Sequence, residues 1–207
     1  MSDVVTGHDW RHVERVRNTA RTLALAEQAD MTVVDLAALL HDMDDHKFSG
    51  DVRGPELTSR AWLLSIGVSE TLSERVVEAL TGASFALGRT EGSLSVEARC
   101  VRDADRLDAI GAIGIARAFA YGGYIGQPLV DSPDRPSTVR HFFEKLLRLS
   151  STMTTTLGAV MAAERHERLL AFLGDLSAET SDPVLRALLD SLSSNHVPGG
   201  QSVPGLG

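Results

Sequence analysis

The chain has 207 residues, 43% of them hydrophobic, which is enough for one full core or a core with a small subdomain. A formal net charge of −8, from 20 Lys and Arg against 28 Asp and Glu, argues against a nucleic-acid polymer as partner, because binding a phosphate backbone needs a positive footprint. No apolar run reaches the roughly 18 residues that span a bilayer, Met1 to Gly7 has neither the basic nor the apolar segment of a signal peptide, and the lone Cys100 excludes an intramolecular disulfide. The expectation is a cytoplasmic protein with no membrane partner, in which Cys100 is a small buried hydrophobe.

Val13, Val16, Ala20, Leu23 and Ala24 recur at helical spacing and predict a first helix from about His8 to Gln28. Thr32 to Leu40 is short and mostly apolar, as expected of a buried helix, with Thr32 as its N-cap. Asp45 to Glu56 carries the turn signals Ser49-Gly50 and Gly54-Pro55. A helix over Leu57–Ile66 is stopped by Gly67, and the next opens at Ser69 or Ser73 and runs to about Leu80, before a loop over Thr81–Phe85. Ser95 to about Asp108 again has helical spacing, and Ala109 to Tyr121 is rich in Ala and Gly, which permits close helix packing. That helix is more apolar than one buried face needs, which points to a homodimer. Gly122 to Pro136 reads as a long loop of the kind that often carries function. Ser137–Leu149 and Leu157–Leu173 are amphipathic, and Asp182-Pro183 opens a last short helix. The fold class is therefore all-α, a single-domain helical bundle over 1–193, with a disordered Gly-, Pro- and Ser-rich tail over 194–207. No internal repeat, βαβ alternation, P-loop or G-x-G-x-x-G element is present.

The most informative feature is the doublet His41-Asp42, set directly after four apolar residues. An apolar helix ending in adjacent imidazole and carboxylate groups is costly to build for packing alone, and a bound cation is one of the few partners that serves both. The chain supplies further ligands on two other helices: His12 near the start of the first, and Asp103, Asp105 and Asp108 near the end of the helix from Ser95. Two imidazoles and two carboxylates suit Mn, Fe, Co or Zn better than Ca, which prefers oxygen alone. Four protein ligands would leave positions on a six-coordinate ion for water and a phosphate oxygen.

His12, His41-Asp42 and Asp105, in that order, resemble the H…HD…D signature of the HD-domain metal-dependent phosphohydrolases. The flanks around His8–Val16, Leu39–Phe48 and Asp103–Arg117, with His141–Leu149, resemble one bacterial branch that includes nucleotide pyrophosphohydrolases; the match runs from about His8 to Phe172. The resemblance implies a bundle of the HD-domain type and a metal held by His12, His41, Asp42 and Asp105, with Asp105 preferred to Asp103 because the family ligand usually precedes x-Leu. Asp108 would then orient a ligand histidine. Asp45 would handle the proton of the attacking water, with Asp44 as the alternative. Lys47 would bind a phosphate oxygen, with Arg15 and His46 as further substrate contacts. His141, Lys145 and Arg165, with His166, would lie over the metal. The implied cofactor is a divalent transition metal, Mn first, with Co, Ni, Fe, Mg or Zn as alternatives. The implied reaction is hydrolysis of a nucleoside triphosphate to monophosphate and pyrophosphate. Phosphomonoester or phosphodiester hydrolysis of another small phosphorylated metabolite, a non-catalytic nucleotide-binding module and two-iron oxygenase chemistry are the alternatives.

Overall fold

The computed structural model describes residues 10–42, 55–83, 94–130 and 135–194, the stretch 55–58 by its backbone alone. Among them every regular element is helical: α1 (Trp10–Glu27), α2 (Met31–Leu40), α3 (Pro55–Ser65), α4 (Glu70–Ala83), α5 (Val96–Asp108), α6 (Gly111–Tyr124), α7 (Thr138–His141), α8 (Leu147–Leu149), α9 (Thr156–Thr180) and α10 (Pro183–Ser194). The chain is thus all-α, as expected. No described helix is long and apolar enough to cross a membrane.

The apolar stripe of α1 drives its docking. His12, Val16, Ala20, Leu23 and Ala24 are its buried residues, spaced to share one face. That face packs on α5 and α2, while α4 closes over the other side of both, and α9 lies against α6 and α5. Val16, Leu23, Val34, Leu107, Phe142 and Leu169 are fully buried at the shared centre, and each such side chain contributes about 1.5–3 kcal/mol. Cys100 joins this core, where burial, followed by the charges of Glu27 and Asp103, pushes its thiol up to about 12, so it is not a nucleophile.

Several helix ends differ from the sequence expectation, each for a local reason. The N-cap of α2 is Asp30, not Thr32: its carboxylate accepts from the amides of Thr32 at 3.0 Å and Val33 at 3.4 Å and answers the positive end of the helix better than a hydroxyl. Gly67 does stop α3, at φ +86°, with its amide bonded to the Leu64 carbonyl and that of Val68 to Leu63. Ser69, not Ser73, opens α4. Thr81, Gly82 and Ala83 belong to α4 rather than to a loop, because Gly82 lies so close to α5 that a Cβ there would come within 2.8 Å of the Ala98 Cβ. Gly122 likewise continues α6, where a Cβ would sit 2.0 Å from the Thr138 hydroxyl. The expected helix over Ser137–Leu149 is interrupted by a π-helical turn at Phe142–Leu146, and α9 runs on to Thr180. Ser194 still belongs to α10, and the rest of the expected tail lies outside the described residues.

The corner between α5 and α6 positions the site. Gly111 takes φ +72°, a left-handed conformation that turns the chain back on itself. At Gly114 a Cβ would lie 2.2 Å from the Ala109 carbonyl oxygen. Backbone cannot step aside as a side chain can, so Gly114→Ala is expected to lower stability by about 1–3 kcal/mol, checked by denaturant unfolding.

Candidate metal centre

Three helices deliver their polar residues to one point. His12 is on the buried stripe of α1, His41 caps α2 with Asp42 next, and Asp105 is in the last turn of α5. His12, His41 and Asp42 each offer a ligand atom, all within 4.8 Å of one another. The two Nε2 atoms are 3.2 Å apart, and His12 Nε2 is 3.4 Å from Asp42 Oδ2 and 3.5 Å from Asp105 Oδ1. His41 Nε2 is 3.5 Å from Asp42 Oδ1 and 4.0 Å from Asp105 Oδ1. Burial grades across the site: the side chain of His12 is 1% exposed, His41 8%, Asp42 20% and Asp105 52%, so one side opens to solvent.

The far nitrogens of both rings are committed. His41 Nδ1 lies 2.8 Å from the Ala38 carbonyl, which can only accept, so this nitrogen carries the proton. His12 Nδ1 lies 2.7 Å from Asp108 Oδ2, and there too the nitrogen donates. Both Nε2 atoms therefore present lone pairs, beside two carboxylates that accept as well. Acceptor atoms brought this close repel one another, and a cation would answer all of them. The donor set of nitrogen and oxygen fits a divalent transition ion.

Asp108 is the centre of a second layer. It accepts from Arg15 through Nε at 2.7 Å and one terminal nitrogen at 3.0 Å, and from Arg117 at 2.7 Å. Burial would raise its pKa, but the hydrogen bonds from His12 and Arg15 and the charge of Arg15 outweigh that and hold the carboxyl well below the usual range. Asp105 and Asp108, one helical turn apart on α5, thus address opposite edges of the same His12 ring. Asp103 faces elsewhere: fully buried, it accepts from the amides and hydroxyls of both Thr154 and Thr155 at the start of α9.

The other expected site residues are distributed unevenly. Arg15 reaches this centre, but through Asp108. Arg165 bonds the Leu107 carbonyl at the end of α5, where burial lowers its pKa. His141 and Lys145 stand on the exposed side of the segment around the π-turn, close enough that desolvation and then the Lys145 charge lower the His141 pKa. His166 lies 3.2 Å from the Ser150 hydroxyl through Nδ1. Asp44, Asp45, His46 and Lys47 lie outside the described residues. Arg117 was not anticipated, although the sequence carried a signal: it is the single charged residue of α6.

A profile of the HD domain matches residues 9–110. The uncharacterised protein YpgQ of Bacillus subtilis is 41% identical over 184 residues, 86% of this chain and 87% of its own length. Its crystal structure in complex with ADP superposes with a TM-score of 0.74 at 38% identity, over 87% of this chain and 93% of that one. A crystal structure of an HD-superfamily hydrolase from Bacillus thuringiensis gives 0.70 at 36% identity, over 84% and 87%. Likeness at this identity, sustained over most of each relative and accompanied by an H…HD…D set converging at one point, makes the chain a member of the HD-domain family.

Proposed function

We propose that the chain is a metal-dependent phosphohydrolase that cleaves a nucleoside triphosphate to the monophosphate and pyrophosphate. The observation that carries this reading is the convergence of His12 Nε2, His41 Nε2 and the carboxylates of Asp42 and Asp105 with both Nδ1 protons committed elsewhere. The ADP bound to YpgQ supports a nucleotide as ligand. In this reading His12, His41, Asp42 and Asp105 hold the ion, with Mn favoured. A divalent ion so bound supplies Lewis acidity and a water of lowered pKa.

The chain's own residues do the rest. The half-exposed side chain of Asp105 marks the open side, by which substrate enters. Asp45, three residues beyond Asp42, takes the proton of the attacking water as its oxygen bonds the α-phosphorus and the bridging oxygen to the β-phosphorus leaves with pyrophosphate. Lys47, Lys145 and His141 meet phosphate oxygens, a lysine acting as a point charge. Arg165 contributes by fixing the end of α5 that carries Asp105.

Product analysis tests the proposal. Protein reloaded with Mn and given nucleoside mono-, di- and triphosphates should release pyrophosphate from triphosphates, and Asp45→Asn should lower kcat by about 10²–10⁴-fold while leaving metal content intact. Orthophosphate as the sole product would move the reading to a phosphomonoesterase, and tight nucleotide binding without any product would defeat the enzymatic reading.

A further inference from the structure

We propose that Arg15 and Arg117 are positioning residues of the metal centre, acting through Asp108 to hold His12 in its ligand tautomer, so that Arg15 serves the metal and not the substrate phosphate. This rests on the reading of His12 as a metal ligand. It goes beyond that reading by assigning work to three residues outside the H…HD…D set.

The geometry is specific. A neutral imidazole ligates through one nitrogen only if the proton stays on the other. For His12 that proton lies between Nδ1 and Asp108 Oδ2, 2.7 Å apart, in a buried setting. A single carboxylate at that depth is free to rotate unless its second oxygen is also held, and Arg15 Nε holds Oδ1 at 2.7 Å while its terminal nitrogen reaches Oδ2 at 3.0 Å. Arg117 approaches the same Oδ2 at 2.7 Å from α6, with its guanidinium 3.3 Å from His12 Nδ1. The carboxylate plane is thereby fixed from two helices, α1 and α6, and the ring is aimed by a carboxylate on a third, α5. The bidentate grip needs the planar fork of Arg. Folding spends effort on this arrangement: Gly111 turns α6 back through φ +72° so that a residue nine positions after Asp108 can return to it. In an otherwise apolar helix, Arg117 has no packing reason to be charged.

The first arm of the test uses the metal alone as probe, so its result does not depend on whether the protein turns over any nucleotide; a second arm measures KM for nucleotide. Metal-stripped full-length wild type, Arg15→Gln, Arg117→Gln and Arg117→Lys are titrated with Mn(II) and with Co(II), whose visible spectrum reports ligand geometry. The proposal expects affinity to fall roughly ten- to a hundredfold in both Gln variants, with an altered Co(II) spectrum, and expects Arg117→Lys to recover much of the loss. It also expects the Arg15→Gln KM for nucleotide, measured at saturating metal, to match wild type. Asp108→Asn, which keeps the shape but loses the acceptor charge, should resemble the Gln variants. Wild-type metal affinity in both Gln variants overturns the proposal. So does a raised KM for Arg15→Gln with metal binding intact, which would make Arg15 a substrate contact. Affinity losses that merely follow a loss of helical circular dichroism in the apoproteins would also overturn it, in favour of a purely structural role.

Discussion

Replacing His41 and Asp42 together by alanine is expected to abolish tight metal binding and to lower turnover by on the order of a thousandfold or more, since in the proposed reaction a bound ion would supply both the nucleophile and several kcal/mol of charge stabilisation. The fold should survive. His41 is the cap residue of α2 and Asp42 follows it, so neither belongs to the apolar stripe that holds the bundle. In the metal-free protein the change removes one of two nitrogens set 3.2 Å apart and a carboxylate 3.4 Å from the other, at the cost of the His41 bond to the Ala38 carbonyl, so thermal unfolding of the apoprotein should stay close to wild type. Loss of function without loss of the fold is what a site built for a ligand shows. Metal content and turnover at wild-type levels in the double variant would remove the basis of the functional reading.

The two neighbouring aspartates of α5 are expected to separate cleanly. Asp103→Ala strips five hydrogen bonds, made by four donors, from a fully buried carboxylate that caps the entry to α9. Leaving the amides and hydroxyls of Thr154 and Thr155 without their acceptor should cost about 3 kcal/mol or more and lower Tm by on the order of 10 °C. The folded fraction should still bind one metal. Asp105→Ala, at a side chain 52% exposed, should leave apoprotein stability unchanged and weaken metal binding. Calorimetry of the apoproteins and metal titration of each variant check both halves. The opposite pattern would make Asp103 the ligand.

Helix periodicity made α1, α5 and α9 legible, because each buries a face that is written in the residue order, and the short apolar run from Val33 to Leu40 marked α2 as a buried helix. The helix ends were less legible. Asp30 and Thr32 are both good caps, and only the backbone position of Met31 decides between them. Gly82 and Gly122 looked like loop residues because glycine is a poor helix former; in the structure they sit where α4 meets α5 and where α6 meets Thr138, and the space forbids a side chain. The π-turn at Phe142–Leu146 has no sequence signature of its own. At the site, the ordered His12, His41-Asp42 and Asp105 could be picked out because the metal chemistry restricts residue type. The second layer could not: Arg15 and His12 meet Asp108 across 93 and 96 positions, and nothing local in α1 says that an arginine three residues after His12 turns toward α5 instead of toward solvent.

Anomalous diffraction from crystals grown with manganese tests the central claim most directly. A single strong peak, at about the 2.0–2.2 Å usual for nitrogen and carboxylate ligands of such ions, is expected beside His12 Nε2, His41 Nε2 and one oxygen each of Asp42 and Asp105. No peak there at saturating manganese, or a peak bounded by a different set of residues, would contradict the account.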